Sequence, residues 1–215
     1  MIHAYDKSYL ADARKNLAGM LDYLVNDLKY PLNNAWSLFL TSEFSARFEH
    51  GDCSVLVGMS GPEIARAVLE QAGESTPVVQ PSYGCGRSPE YWTGWAIAYY
   101  QWFTGLRFEE IEQAVSIAKV RMMYTPYHEM DIRQFVDKMN ELYRAAVPET
   151  RLKALRTMAG MSQSELAAMS GVPIRTIQQY EQRRKNINRA QAETLLSLAR
   201  TLSSSVEDLM EKVDA

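Results

Sequence analysis

Residues 174–181 read Ile-Arg-Thr-Ile-Gln-Gln-Tyr-Glu, which sets planar hydrogen-bonding side chains among apolar ones at helical spacing. At 3.6 residues per turn, Ile177 and Tyr180 share one face, and Ile174, Arg175, Thr176, Gln178 and Gln179 take the others. An outward Arg can grip guanine with two hydrogen bonds, and an outward Gln can grip adenine in the same way. A helix start also favours a phosphate, because its free N–H groups carry partial positive charge. The chemistry on offer is the reading of a nucleic-acid groove.

A second run offers chemistry of another kind. Tyr124-Thr125-Pro126-Tyr127-His128-Glu129-Met130-Asp131 places an imidazole beside two carboxylates. The chain has only His3, His50 and His128, with no His-x-x-x-His or Cys-x-x-Cys pair, so a zinc site is not expected. His128, Glu129 and Asp131 fit a helix start, where acids complement the dipole. Gly84-Cys85-Gly86 follows no clear strand and precedes no Gly-Lys-Ser/Thr, which argues against a phosphate loop. No catalytic residue, no metal and no cofactor is expected.

Local signals define the elements that would carry the groove-reading run. Ser162 and Glu165 form a capping box, and Leu166 and small Ala167 then face inward. Gly171 supplies the turn, since other residues are strained at positive φ. Pro173 suits the first turn of the helix that follows. An earlier helix spans about Glu149 to Ala159, with Leu152, Leu155 and Met158 inward and Gly160 at its end. Beyond Gln182 lies a basic loop, Arg183-Arg184-Lys185, in which Arg183 reads as a solvated charge. Asn188 with Gln191 suggests a second capping box, opening a helix that contains Leu195, Leu196, Leu198 and Ala199. Ser204 with Glu207 suggests a third, opening a short helix with Val206 and Leu209.

Together these features make residues from about 150 to 212 similar to the Xre family, the lambda-repressor/Cro-like DNA-binding domains. The resemblance rests on Arg156, Ser162-Gln163-x-Glu165-Leu166-Ala167, Gly171, Ile177, Tyr180-Glu181 and Ser204-x-x-x-Asp208-Leu209. It implies that Ile174, Arg175, Thr176 and Gln179 reach base edges. It implies that Gln163, Arg184, Lys185 and Asn188 meet the phosphate backbone, and that Arg156 and Glu181 form a structural ion pair. Ile174 departs from the family habit of a polar reader; it would touch a thymine methyl or simply pack.

Charge separates this segment from the rest. Residues 150–215 hold 10 Lys/Arg and 7 Asp/Glu, a net +3. That leaves 13 and 19 of the chain's 23 and 26 for residues 1–149, a net −6. The positive field suits DNA, and an acidic partner unit does not. No run of about 18 apolar residues occurs, so no membrane span is expected. Met1-Ile2-His3-Ala4-Tyr5-Asp6 lacks the character of a signal peptide. Cys53 and Cys85 are read as free thiols of a cytoplasmic protein.

Residues 1–147 read as a helical unit, joined to the second near Ala145-Ala146-Val147-Pro148, so the fold class is all-α: a helical N-terminal domain (1–147) and a five-helix lambda-repressor-like domain (148–215). One helix starts at Asp6 or Ser8, carries Leu10, Leu17, Leu21, Leu24 and Leu28, and ends before Pro31. The next spans about Leu32 to His50 through Trp36, Leu40, Phe44 and Phe48, with Gly51 as its end. Ser60-Gly61-Pro62-Glu63 is a capping box for a helix with Ile64, Val68 and Leu69 inward, ended by Gly73. Glu74 to Ser88 reads as a loop that Val78, Val79 and Tyr83 could anchor. Ser88-Pro89-Glu90 opens a helix that ends at Gly105, and two more follow, about Phe108–Arg121 and Glu129–Ala146. Ser54-Val55-Leu56-Val57 is the one strand candidate.

The helix from 89 to 104 concentrates Tyr91, Trp92, Trp95, Tyr99, Trp102 and Phe103. Such a face suits burial in the core, and it equally suits a pocket or a partner surface. Gly94 would admit a neighbouring helix at close range. The segment Ser88–Phe135 is faintly similar to proteins encoded beside small toxin genes in gut bacteria, on the strength of Glu90-Tyr91-Trp92-Thr93-Gly94-Trp95 and Tyr99-Tyr100-Gln101-Trp102. The plan of an acidic helical unit with an Xre-type reader is similar to antitoxins that repress their own operon. The expected partners are therefore palindromic double-stranded DNA, a second copy of the chain and a cognate toxin protein. A small-molecule-sensing repressor is the alternative, and an enzyme with an accessory DNA-binding tail is the third reading.

Overall fold

The computed structural model describes residues 3–76, 79–82, 88–147 and 149–212. Expectations for Val78, Tyr83, Gly84-Cys85-Gly86 and Pro148 fall outside these residues. The chain is all-α, and no strand occurs among the described residues. It divides into two compact units, Met1–Tyr143 and Arg144–Ala215.

In the first unit, Asp6 accepts the Ser8 N–H at 2.8 Å and starts a short 3-10 turn. Helix α1 (Leu10–Asp22) follows and runs on into a π-helical turn, Tyr23–Asp27. The expected single helix through His50 is two, α2 (Leu32–Thr41) and α3 (Glu43–Glu49). Ser42 is extended between them (ψ 157°), with its hydroxyl donating to the Phe39 carbonyl at 2.7 Å. The break brings Phe39 and Phe48 into the core beside Trp36 and Phe108.

The expected strand is instead a helical turn, α4 (Cys53–Leu56). Asp52 accepts the Ser54 N–H at 2.9 Å, and a cap of this kind overrides the β preference of a four-residue apolar run. Helix α5 (Gly61–Gln71) opens on the Ser60–Glu63 capping box and buries Ile64, Val68 and Leu69. Helix α6 (Pro89–Thr104) is capped by Ser88 and closed by left-handed Gly105.

The expected helix 108–121 is also two, α7 (Phe108–Ala114) and α8 (Ile117–Met122), because Val115 is extended and Ser116 recaps the chain. A single turn, α9 (Tyr124–Tyr127), precedes α10 (Ile132–Ala146). Asp131, not Glu129, sets the start of α10, accepting the Arg133 N–H at 2.8 Å.

Helix α1 packs on α6 and α5 at points where side chains are missing. A Cβ on Gly94 would lie 2.7 Å from the Leu17 carbonyl oxygen, and one on Gly61 would lie 2.4 Å from the Gly19 carbonyl carbon. Both are far inside van der Waals contact, so only glycine lets these backbones meet.

The second unit holds α11 (Arg151–Met158), α12 (Gln163–Ser170), α13 (Ile174–Glu181), a 3-10 turn at Ile187–Arg189, α14 (Ala192–Thr201) and α15 (Val206–Leu209). Its core is Leu152, Leu166, Val172, Ile177, Tyr180, Leu198 and Leu209, with neighbours from α14. Three sequence readings are corrected here. Met158 is 84% exposed at the frayed end of α11, not inward. The last capping box is Ser205 with Asp208, one residue beyond Ser204 and Glu207. Asn188 does not cap α14, because its side chain pairs with the backbone of Glu211.

Candidate nucleic-acid interface

Helix α12 starts on the Ser162–Glu165 capping box, in which the Ser162 N–H donates to Glu165 at 2.7 Å. That bond, and then the Ser162 hydroxyl, hold the Glu165 carboxyl below its ordinary value. Gly171 ends α12 in the left-handed region (φ +70°). Pro173 is the N-cap of α13, and its carbonyl accepts the Thr176 and Ile177 N–H groups. The two helices are therefore joined by Gly171, Val172 and Pro173, with Val172 buried as the plug between them.

Ile177 and Tyr180 anchor α13 in the core, which leaves its other faces outward. Ile174 is 40% exposed and Arg175 is exposed at the start of the helix. Thr176, Gln178 and Gln179 are half-buried along its flanks. Four of these five side chains are the expected base readers; Gln178 is engaged elsewhere.

A polar network fixes the helix from behind. Arg156 donates to both Glu181 carboxylate oxygens, from Nε at 2.6 Å and Nη2 at 3.0 Å, and to the Met161 carbonyl from Nη1 at 2.7 Å. The pair is nearly dry, with side chains 12% and 3% exposed. Gln163 Nε2 donates to the same carboxylate at 2.7 Å, and Gln178 Nε2 donates to Gln163 Oε1 at 3.3 Å. Gln163, expected at the phosphate backbone, thus spends one amide hydrogen and its Oε1 inside the domain. Its bonds to α13 were not foreseen, because nothing in the spacing of residues 163, 178 and 181 marks them as neighbours.

Beyond α13 the Arg184 and Lys185 N–H groups both donate to the Gln179 carbonyl, and both side chains are exposed. Arg183 is not the solvated charge expected. Its guanidinium donates to the Val147 and Glu149 carbonyls at 3.2 and 3.4 Å and lies 3.7 Å from the Glu211 carboxylate. Asn188 is turned toward Glu211, which occupies one of its amide hydrogens.

Among the described residues the first unit gives no comparable array. His128 Nδ1 is bound to the Tyr124 carbonyl at 2.8 Å and its ring stacks on Tyr124 at 4.0 Å, while Asp131 caps α10. His128 Nε2 lies 3.5 Å from the exposed Glu129 carboxylate, and Asp131 does not join them. Among the described residues no group of three or more His, Cys, Asp or Glu could hold a metal ion. No helix among them is long and apolar enough to cross a membrane.

The aromatics of α6 divide by face. Trp92 and Trp102 are buried, and Trp102 Nε1 donates to the Tyr5 carbonyl at 2.9 Å. Tyr91, Trp95 and Tyr99 are half-buried, and the Arg14 guanidinium lies 3.3 Å from the ring centre of Trp95 and 4.7 Å from that of Tyr99. Tyr99, Trp102 and Phe103 also line an open recess of about 430 Å³ with His3, Arg133 and Asp137.

Residues 152–209 match the helix-turn-helix family model. No curated protein and no solved structure matches the chain. The match stops short of the first unit, so the antitoxin-like resemblance of segment 88–135 gains no support from it. Where it applies, geometry and comparison agree: residues 152–209 are a helix-turn-helix domain of the Xre, lambda-repressor-like type, with α12 and α13 as the helices on either side of the turn, and they give the chain the DNA-binding head of a transcription regulator.

Proposed function

We propose that the chain is a sequence-specific transcription regulator of the antitoxin type. Its head reads a palindromic operator as a homodimer, and its acidic first unit binds a basic protein partner, a toxin, in the cytoplasm. The observation that carries the reading is α13 itself, with Ile174 and Arg175 exposed at its start while Ile177, Tyr180 and the Arg156–Glu181 pair hold it from behind. Arg175 and Gln179 supply bidentate readers, Ile174 and Thr176 apolar or single-bond contacts, and Gln163, Arg184, Lys185 and Asn188 phosphate contacts. One recognition helix covers only a few base pairs, so two copies on half-sites about 34 Å apart supply the specificity.

A protein partner is supported by the net −6 of residues 1–149 and by exposed methionines, Met122 at 77% and Met130 at 41%. Methionine is adaptable and favoured on binding surfaces. A second reading, small-molecule sensing, is favoured by the recess beside Tyr99 and Trp102, whose volume lies in the range of ligand sites. Catalysis is not proposed, since His128 spends its Nδ1 on its own backbone.

The test joins two measurements on the full chain. Selection from random duplexes should enrich a palindrome; enrichment of no sequence overturns the regulator reading. Capture from native lysate should bring down one basic protein in stoichiometric amount. A co-purifying small molecule without a protein transfers the first unit to the sensing reading.

A further inference from the structure

Glu211 lies just beyond α15 and gathers three separate stretches of the second unit. Asn188 pairs with its backbone in both directions: Nδ2 donates to the Glu211 carbonyl at 2.6 Å, and the Glu211 N–H donates to Oδ1 at 2.8 Å. The Glu211 carboxylate accepts the N–H of Arg151, the first residue of α11, at 2.8 Å. Its other oxygen lies 3.7 Å from the Arg183 guanidinium.

Arg183 is itself unusual. Its φ is +52°, in the left-handed region where a residue with a Cβ is strained. The same residue donates to the Val147 and Glu149 carbonyls, on the stretch that leads into α11. A strained backbone whose side chain is bound to three acceptors has its conformation set by those bonds. Directly after it come Arg184 and Lys185, tied by their N–H groups to the Gln179 carbonyl in the last turn of the recognition helix. Arg183 is therefore a pivot joining the entry stretch, the C-terminal turn and the loop that carries the exposed cations.

We propose that Arg183 and Glu211 are positioning residues for DNA binding. They preset the loop from 183 to 188 so that Arg184 and Lys185 meet the phosphate backbone, while Arg183 itself stays off the DNA. The inference rests on the phosphate roles assigned to Arg184 and Lys185 above. Without the pins the loop still closes on bound DNA, but it must be ordered on each binding event. Affinity then falls while the number of phosphate contacts stays the same.

The test uses the full chain, a labelled duplex of random sequence and a series of salt concentrations. Arg183→Gly suits the left-handed backbone and keeps the fold, yet removes the side-chain hydrogen bonds to Val147 and Glu149 and the ion pair with Glu211. It should weaken binding about tenfold and leave the slope of log affinity against log salt unchanged. A slope smaller by about one unit would make Arg183 a phosphate ligand and overturn the proposal. Glu211→Gln should weaken binding in the same direction by about threefold, the scale of one partly exposed ion pair. Tighter binding with a steeper slope would mean that Glu211 only holds Arg183 away from DNA, which also overturns it. Unchanged affinity in both variants does the same. Failure of the unaltered chain to bind any duplex would instead sink the DNA-binding reading beneath it.

Discussion

The first unit is held by rings and bare backbone, the second by aliphatic side chains and charge. Trp36 and Phe39 meet Phe108 edge to face in the first, as Phe39 meets Phe48, and α1 is laid against α5 and α6 at glycines. Tyr180 is the only aromatic residue in the core of the second. Each unit also contains a buried carboxylate paired with an arginine. In the first, burial pushes the Glu90 carboxyl up, but the Arg121 guanidinium at 2.7 Å and further hydrogen bonds hold it below its ordinary value. Arg121 there is half exposed, whereas Arg156, opposite Glu181, is nearly covered. A small domain has little apolar surface to bury, so a dry, fully bonded pair carries more of the definition of its fold. A larger unit can leave that task to shape.

The contrast breaks or sharpens under substitution. Glu181→Ala strands the Arg156 guanidinium and removes the acceptor of Gln163, which should cost the head about 3–5 kcal/mol. Calorimetry of the full chain should show the head's transition falling while that of the first unit stays. A single transition moving as a whole would mean the units do not melt separately, and the contrast would fail.

Gly94→Ala drives a Cβ to 2.7 Å from the Leu17 carbonyl oxygen. Overpacking of this kind costs about 1–3 kcal/mol, and the loss should appear in the first unit's transition alone. Operator affinity, measured by anisotropy well below melting, should not move.

Arg175→Ala should cost about 1–3 kcal/mol and relax preference at one base position. An equal loss on operator and random duplexes would reduce Arg175 to a phosphate contact. Arg184→Ala should weaken all sequences alike and lower the salt slope by about one unit. An unchanged slope would remove Arg184 from the footprint.

The smallest effect concerns acid. Glu165 and Asp208 both sit in capping boxes and both are held below the ordinary carboxylate value, Glu165 chiefly by the Ser162 N–H and Asp208 chiefly by the Ser205 hydroxyl. A depressed folded pKa contributes stability above the unfolded value, near 4, and loses it as pH falls through the folded value. Amide protection at the starts of α12 and α15, taken relative to the intrinsic exchange rate at each pH, should therefore fall below about pH 4. Loss of protection already at neutral pH would point to another group.

How much of this was legible follows the same division. Ser162, Glu165, Gly171 and Pro173 announce α12 and α13 because caps and turns are decided by neighbours in the chain. The Ser60–Glu63 box and Gly105 were legible for the same reason. The breaks at Ser42 and Val115 were not, since each lies within a run that keeps helical periodicity, and the first is broken where Phe39 and Phe48 turn to meet. The 54–57 run misled through its β-branched and apolar content, which the Asp52 cap outweighs. In the head, Met158 follows the apolar period but sits where α11 has run out of neighbours. The outward side of α13 was visible as what remained after Ile177 and Tyr180 turned inward. The bonds of Gln163, Gln178, Arg183 and Glu211 join residues far apart in the chain, and no local spacing encodes them.

The tie from Arg156 through Glu181 to Gln163 and Gln178 leaves the recognition helix a single setting. A helix clamped at both its root and its flank cannot tilt or slide to suit a second sequence, so the head behaves as a fixed type block. On the function proposed above, its vocabulary would change only by substitution, and control would fall to events that add or remove whole heads from the operator.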